Sequence, residues 1–234
     1  MAKVRMVTFR RGTESVAGFF ALPRDSKRHR AIIAVHEWWG LSKWVKEQAT
    51  NLAKNSYVVL AVDLYRGKVA TNPSEARKLK RDLTEDRAIH DLKMAFDYLM
   101  GRPEVDPKHI GSLGWSMGGR LALQLAIHEP RLAACVVNYG SLPTKSIDIK
   151  KINAQVLGIF GSHDRAIPRD KVRAFEMRMN AEKKPVDIKI YDGAGHAFEN
   201  PGNKVGFRPE AAADAWLRTL RFFNHAKQSK SSVS

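Results

Sequence analysis

The sequence predicts an α/β fold with a mainly parallel sheet covered by helices on both faces. Segments with strand-like and helix-like patterns alternate from residue 31 to the end of the chain, which is typical of a parallel sheet with crossover helices. Some strand-like segments contain a continuous apolar run, such as AIIAV in AIIAVHE at 31–37, as expected of strands buried on both faces. Hydrophobic residues make up 44% of the 234 residues, enough to form a sizeable core.

Eight segments are predicted as strands because they are rich in β-branched or aromatic residues and lie between turn residues. The first two are expected to form a hairpin whose turn lies at 10–14. The segments at 31–37 and 58–64 are expected to be buried strands. The predicted strands cover residues 4–9, 16–23, 31–37, 58–64, 109–115, 133–140, 156–161 and 186–192.

Six helices are predicted from apolar residues at helical spacing and from residues that start or stop helices. Ser42 is suited to cap the first helix, and Pro168 and Pro209 begin the last two. The pair Gly101 and Arg102, followed by Pro103, ends the third. The predicted helices cover residues 42–55, 72–83, 86–100, 117–129, 168–181 and 209–223.

We expect one domain over residues 1–224 and a polar, basic tail over 225–234, HAKQSKSSVS, that is disordered. The N-terminal residues lack the apolar stretch and cleavage site of a signal peptide, and no apolar run reaches the ~18 residues that a membrane span needs. The expected location is therefore the cytoplasm, with no membrane partner.

The chain is strongly basic, with 40 lysines and arginines against 24 acidic residues and a net charge of +16. Such a charge fits a polyanionic partner. The basic residues are spread along the chain, however, without a zinc-finger spacing or a long basic block, so we do not expect a nucleic-acid site. An anionic substrate remains compatible with the charge. The one cysteine, Cys135, lies in an apolar run and is expected to be a buried core residue, so neither an internal disulfide nor a cysteine-based metal site is predicted.

The motif that carries chemistry is GWSMG at 114–118, a G-x-S-x-G sequence. A predicted strand runs into Gly114 and an apolar helix leaves from Met117. A sharp strand-to-helix turn of this kind projects a serine hydroxyl above the sheet and leaves no room for side chains at the flanking glycines. Ser116 is therefore the candidate nucleophile.

A serine hydroxyl needs a base to take its proton, and His196 is the best candidate. It lies in the glycine-rich loop DGAGHAF after the last predicted strand. Asp164, directly after the strand at 156–161, is the candidate for the acid that orients the histidine; Asp170 is a weaker rival because it lies inside a helix. The order serine, aspartate, histidine along the chain is the order expected of an α/β-hydrolase.

The loop HEWWG at 36–40 follows the first buried strand. In this fold that loop supplies one backbone donor to the oxyanion hole, and the helix after the nucleophile supplies the other. The candidates are the N–H groups of Trp38 and Met117. Glu37 is unusual at this position, since its carboxylate would either lie close to the nucleophile or only shape the loop.

Taken together, these segments resemble the dienelactone hydrolase family. The resemblance rests on HEWWG, DLYRG, GWSMGG, GSHD and YDGAGHAF and extends from about residue 15 to residue 223. It implies an eight-stranded α/β-hydrolase fold without a large lid domain and without a metal or organic cofactor. It also implies triad roles for Ser116, Asp164 and His196, and a role for Glu37 in controlling the nucleophile.

Two residues depart from the family pattern. Ser116 stands where the archetypal enzymes have cysteine, and a serine must be deprotonated during attack, whereas a cysteine can be stored as a thiolate. Asn200 stands where the archetypes have an arginine that holds the substrate carboxylate. Arg66, Arg77 and Arg81 remain alternatives for that task.

The predicted function is hydrolysis of a small carboxylic ester or lactone through an acyl-enzyme intermediate. Trp39 and Phe198 are expected to line the substrate pocket beside Trp38, while Trp115 fits either the pocket or the core. A ligand-binding or signalling protein with negligible turnover on the same fold is the alternative. The sequence leaves the oligomeric state and the natural substrate open.

Overall fold

A computed structural model describes residues 2–227 and contains the eight predicted strands. Their bounds lie within a few residues of the prediction, and the largest difference is the earlier start of the fifth strand. The strands are β1 (Lys3–Arg11), β2 (Glu14–Leu22), β3 (His29–Val35), β4 (Val58–Val62), β5 (Val105–Trp115), β6 (Ala134–Asn138), β7 (Gln155–Gly161) and β8 (Val186–Tyr191).

The six predicted helices are present, together with a short one that the sequence analysis missed. The missed helix is α5, whose six residues SIDIKK are too few for an apolar period to show. The helices are α1 (Lys43–Lys54), α2 (Pro73–Asp82), α3 (Glu85–Met100), α4 (Met117–His128), α5 (Ser146–Lys151), α6 (Arg169–Ala181) and α7 (Pro209–His225). Because α7 continues to His225, it passes the predicted domain end at 224 by one residue. Residues 228–234 of the predicted tail lie outside the described residues.

All eight strands belong to one sheet, in the order β1-β2-β4-β3-β5-β6-β7-β8. Strand β2 runs antiparallel to both of its neighbours, and the strands from β4 to β8 are parallel. The structure therefore confirms the predicted α/β-hydrolase architecture. In a parallel sheet the carboxyl ends of the strands share one edge, where sites of open α/β sheets form, so the loops after β3, β5, β7 and β8 meet there.

Two apolar layers hold the helices against the sheet. Helices α1 and α7 bury Leu52 and Phe223 on one face, and α3, α4 and α6 bury residues such as Phe96 and Phe175 on the other. The side chain of Ser42 accepts a hydrogen bond from the N–H of Val45, which confirms the predicted N-cap of α1. The buried sheet gives the loops at its carboxyl edge a rigid base. Within residues 2–227, no helix is both long and apolar enough to cross a bilayer.

Candidate active site

The turn between β5 and α4 has the geometry of a nucleophile elbow. Ser116 adopts a φ of 54°, a left-handed conformation that is uncommon for a residue other than glycine. A Cβ atom added to Gly114 would lie 2.1 Å from the carbonyl oxygen of Gly118, and one added to Gly118 would lie 2.1 Å from that of Val35. The two glycines are thus required by close backbone approach, as the sequence motif predicts.

His196 lies within hydrogen-bond distance of Ser116, 80 residues away in the chain. The Ser116 Oγ to His196 Nε2 distance is 2.8 Å, and Asp164 Oδ2 lies 2.7 Å from His196 Nδ1. An ionised carboxylate can only accept hydrogen bonds, so Nδ1 of His196 carries the proton that it donates to Asp164. Nε2 is then unprotonated and can take the proton of the Ser116 hydroxyl. The structure thus brings the three predicted residues into one hydrogen-bonded line.

Asp164 is buried and is held by three donors. Its Oδ1 atom accepts from the N–H groups of Ala166 and Ile167, at 2.8 and 3.1 Å, while Oδ2 accepts from His196. Burial alone would raise the pKa of Asp164, but the hydrogen bond from His196 and the two backbone N–H groups hold it below its usual value. The carboxylate therefore stays ionised at neutral pH and keeps the imidazole in one orientation.

Two loops carry the acid and the histidine, and they are tied to each other. The N–H of His163 donates to the carbonyl oxygen of Ala194 at 2.9 Å, and the side chain of Ser162 accepts from the N–H of Gly193 at 2.9 Å. The amide of Asn203 donates to the carbonyl oxygen of His196 at 3.0 Å. These bonds fix the histidine backbone relative to the sheet edge.

The loop after β3 is fixed by a buried histidine. His36 Nδ1 donates to the carbonyl oxygen of Glu37 at 2.6 Å, and Nε2 accepts from the N–H of Leu64 at 3.3 Å. Burial lowers the pKa of His36, which fits this neutral tautomer. Trp38 follows in the same loop and lines the cleft beside Ser116. Met117 is the first residue of α4, so its N–H has no acceptor within the helix.

Glu37 lines the same cleft and is almost fully buried, 3% exposed. Its Oε2 atom accepts a hydrogen bond from Nδ2 of Asn200 at 2.8 Å. Burial raises the pKa of Glu37 to about 7, against the lowering effect of the Asn200 bond. This carboxyl group can therefore change charge near neutral pH. No hydrogen bond between Glu37 and Ser116 is found in the part of the chain that the structure describes.

A cleft of about 850 Å³ opens over Ser116 and His196. Its apolar wall is formed by three tryptophans and two valines, and its rim carries three lysines. These residues are Trp38, Trp39, Trp44, Val69, Val205, Lys43, Lys80 and Lys204. Val69 lies in the long connection after β4 and Val205 in the connection before α7, so loops from both halves of the chain enclose the cleft.

Phe198 is the predicted pocket residue that the structure places elsewhere. It is fully buried, packs against Tyr139 and Tyr191, and does not line the cleft. Ala197 has a φ of 55°, which turns the chain after the histidine, and the next side chain enters the core. Trp115 is also a core residue, 2% exposed. Trp39 does line the cleft.

Sequence reasoning missed several residues of the site. Tyr139 packs edge-on against the His196 ring, with the ring centroids 5.3 Å apart. Tyr139 directly follows β6 and therefore lies at the carboxyl edge of the sheet. This position in the sequence could have identified it as a residue near the site. Lys43, Lys80 and Lys204 come from three separate segments, and no spacing in the sequence connects them.

No three histidine, cysteine or acidic side chains come close enough to hold a metal ion among residues 2–227.

Comparison with known proteins gives a consistent result. "Protein usf" of Aquifex pyrophilus is 31% identical over 226 residues, covering 94% of this chain and 97% of that protein. "Putative carboxymethylenebutenolidase" of Saccharolobus solfataricus is 31% identical over 255 residues, covering 91% of this chain and 95% of that protein.

The fold is also found among solved structures. The crystal structure of "Putative Dienelactone Hydrolase" from Klebsiella pneumoniae superimposes with a TM-score of 0.88 at 24% identity, covering 96% of this chain and 99% of that one. A model of the dienelactone hydrolase family matches residues 16–227. This match includes the strands and loops that carry the site described above. The chain therefore belongs to the dienelactone hydrolase family.

Proposed function

We propose that the protein hydrolyses a carboxylic ester or lactone of a small molecule through an acyl-enzyme formed on Ser116. The observation that carries this proposal is the hydrogen-bonded line from Ser116 through His196 to Asp164, which opens onto the cleft. A nucleophile, a base and an orienting acid in this arrangement are what acyl transfer requires.

In the proposed first step, Ser116 Oγ attacks the carbonyl carbon and its proton passes to His196 Nε2. The carbonyl π electrons move to the oxygen, and the N–H groups of Trp38 and Met117 stabilise this oxyanion. When the tetrahedral intermediate collapses, the bond to the leaving oxygen breaks and His196 protonates the alkoxide. In a lactone this alcohol stays attached to the acyl group.

In the proposed second step, a water molecule attacks the acyl carbon and gives a proton to His196. The bond to Ser116 Oγ then breaks, the proton returns to the serine and the carboxylic acid leaves. Asp164 stays ionised throughout and stabilises the imidazolium that forms in each step.

Glu37 is proposed to control the charge next to the nucleophile. An ionised carboxylate in the cleft would repel the developing oxyanion, whereas its neutral form would not. The bond from Asn200 fixes the side chain, and the pKa of about 7 allows both forms near neutral pH.

The cleft supports a substrate with an apolar group and an acidic group. Tryptophan and valine side chains offer contact area to an alkyl or aromatic group. Lys80 and Lys204 on the rim provide positive charge, at a site where Asn200 replaces the arginine of the family archetypes.

A panel of short-chain esters and lactones tests the proposal. Wild-type protein is expected to hydrolyse at least one of them, and Ser116→Ala is expected to lower kcat/KM by roughly 10³-fold or more. The matched control is Ser141→Ala, since Ser141 is exposed and lies outside the cleft. Wild-type rates in Ser116→Ala would contradict the proposal. Tight ligand binding by wild type with no turnover on the whole panel would favour the binding-protein alternative.

A further inference from the structure

The segment after β4 forms a turn that packs against the loop after β3. Asp63 is buried, and its carboxylate accepts hydrogen bonds from the N–H groups of Tyr65 at 3.1 Å and Gly67 at 2.5 Å. These two bonds fix the turn in the motif DLYRG. The turn places Leu64 and Tyr65 against the side chain of His36.

The ring of His36 is fully buried and is held by two residues of this turn. Its Nε2 atom accepts from the N–H of Leu64, and the ring of Tyr65 packs edge-on against it, with the ring centroids 4.8 Å apart. The hydroxyl of Tyr65 donates to Sδ of Met117 at 3.3 Å, so the same side chain also contacts the first residue of α4. The position of the His36 ring is therefore fixed relative to the sheet and to the start of α4.

The other ring nitrogen of His36 holds one peptide unit of the loop after β3. Nδ1 donates to the carbonyl oxygen of Glu37 at 2.6 Å, and the N–H of Gly40 donates to the same oxygen at 3.2 Å. This carbonyl and the N–H of Trp38 belong to one planar trans peptide, so the two groups point in opposite directions. The bond from His36 therefore sets the direction of the Trp38 N–H.

This arrangement leaves the N–H of Trp38 free to bind a substrate atom. The N–H points away from the buried ring of His36, and it has no hydrogen-bond partner within residues 2–227. Backbone N–H groups of native proteins are nearly always paired with protein, water or ligand. Since Trp38 lines the cleft beside Ser116, an oxygen atom of a bound substrate can serve as the partner.

We propose that His36 is a positioning residue of the oxyanion hole: it holds the peptide before Trp38 so that this N–H meets the oxyanion formed on attack by Ser116. Tyr65 keeps the His36 ring in place. This inference rests on the proposed function, in which Trp38 is one of the two oxyanion donors. His36 itself does not touch the reacting atoms, since it is buried and does not line the cleft.

Two substitutions of His36 separate its two hydrogen bonds. In His36→Asn the side-chain NH₂ group lies where Nδ1 lies, so it can still donate to the carbonyl oxygen of Glu37. In His36→Gln the amide reaches the position of Nε2, so it can accept from the N–H of Leu64 but no longer holds Glu37. Each variant loses one buried hydrogen bond, and the two are therefore expected to lose Tm to a similar extent.

The two variants are expected to differ in kcat. His36→Gln should lower kcat about 30-fold with KM within about twofold of wild type, because a misdirected donor costs less than the roughly 10²- to 10³-fold of a deleted one. His36→Asn should stay within about fivefold of the wild-type kcat. A role in packing alone would give both variants the same kcat. His128→Asn is the matched control, since His128 is exposed at the end of α4, and its kcat should equal that of wild type.

A trifluoromethyl ketone inhibitor measures the oxyanion hole directly. Ser116 Oγ adds to its carbonyl carbon, the serine proton passes to His196, and the carbonyl electrons form an oxyanion. The Ki of this inhibitor should rise in His36→Gln by about the factor by which kcat/KM falls. The analogue with CH₂ in place of the carbonyl forms no adduct, and its Ki should stay within about twofold of the wild-type value. Equal changes in the two Ki values would contradict the proposal.

Tyr65→Leu tests the support of the ring without altering His36. This variant loses the ring contact and the bond to Met117, and its kcat is expected to fall several-fold with the same inhibitor response. Tyr57→Leu is the matched control, since Tyr57 is also buried but lies in the apolar layer on the other face of the sheet, where its hydroxyl donates to Asn224. Its kcat should stay near that of wild type. If the His36 variants do not fold, this pair decides, and an equal kcat in the two tyrosine variants would overturn the proposal.

The outcomes for the two proposals differ. If wild type hydrolyses esters and His36→Gln has the same kcat as His36→Asn, the positioning role is wrong and the proposed function stands. If wild type hydrolyses nothing and Ser116 takes no fluorophosphonate label, the proposed function fails and the positioning role fails with it. A low kcat in His36→Gln that His36→Asn restores, together with a rise of Ki for the ketone alone, would support both.

Discussion

The buried carboxyl group of Glu37 makes stability depend on pH, and Glu37→Gln removes that dependence. In the folded protein the pKa of Glu37 is raised to about 7 from an ordinary value of 4.5. Below pH 4.5 both the folded and the unfolded chain hold the proton. Between pH 4.5 and 7 the unfolded chain releases it while the folded chain keeps it, so the free energy of unfolding falls as the pH rises.

The size of the effect follows from this pKa difference. Each pKa unit corresponds to about 1.4 kcal/mol, so wild type loses about 3 kcal/mol of stability between pH 4.5 and pH 7 through this group. Glutamine has no proton to release and can still accept the bond from Asn200. Glu37→Gln is therefore expected to be about 3 kcal/mol more stable than wild type at pH 8, with a smaller difference at pH 5.

Urea unfolding at pH 5 and pH 8 measures this difference, and thermal unfolding should show a Tm gain of roughly 10 °C at pH 8 for a chain of this size. The matched control is Glu47→Gln on α1, whose side chain is exposed, and it should change stability little at either pH. A gain for Glu37→Gln that is equal at both pH values, or a loss at pH 8, would refute the reasoning.

Three further variants test the site and its supports. Asp164→Asn should lower kcat by roughly 10³- to 10⁴-fold because the amide no longer fixes the tautomer of His196. A steady-state kcat near the wild-type value would contradict this. Lys80→Met should raise KM about three- to tenfold for an ester with a carboxylate group and leave KM for a neutral ester unchanged, whereas equal effects on both esters would exclude a charge role. Gly118→Ala should lower the Tm by roughly 5 °C or more or prevent folding, since the added Cβ would lie 2.1 Å from the Val35 carbonyl oxygen, and an unchanged Tm would be inconsistent with the tight elbow.

The features that the sequence could predict depend on local signals. The apolar runs predict the buried strands, and the carboxyl ends of parallel strands must share one edge, so the loops with Ser116, Asp164 and His196 could be placed together. Gly114 and Gly118 mark the elbow because close backbone contacts leave room only for glycine.

The features that the sequence did not predict depend on where side chains point after the chain has folded. Ala197 has a positive φ, and Phe198, which follows it, is buried in the core. His196, which precedes Ala197, lines the cleft. The Oε1 atom of Glu199 is buried although the residue keeps some exposed surface, and the sequence around position 199 does not show which way this side chain points. Lys80 lines the cleft from α2, whereas Arg77 and Arg81 of the same helix, which the sequence offered for binding a substrate carboxylate, do not line it.

Covalent labelling with a fluorophosphonate probe tests the central claim most directly. Attack by Ser116 Oγ forms a bond to phosphorus and releases fluoride, and mass spectrometry locates the adduct. We predict one adduct, on the peptide that contains Ser116, and none in Ser116→Ala or His196→Ala. An adduct on another residue, or no adduct on folded wild-type protein, would contradict the proposed nucleophile.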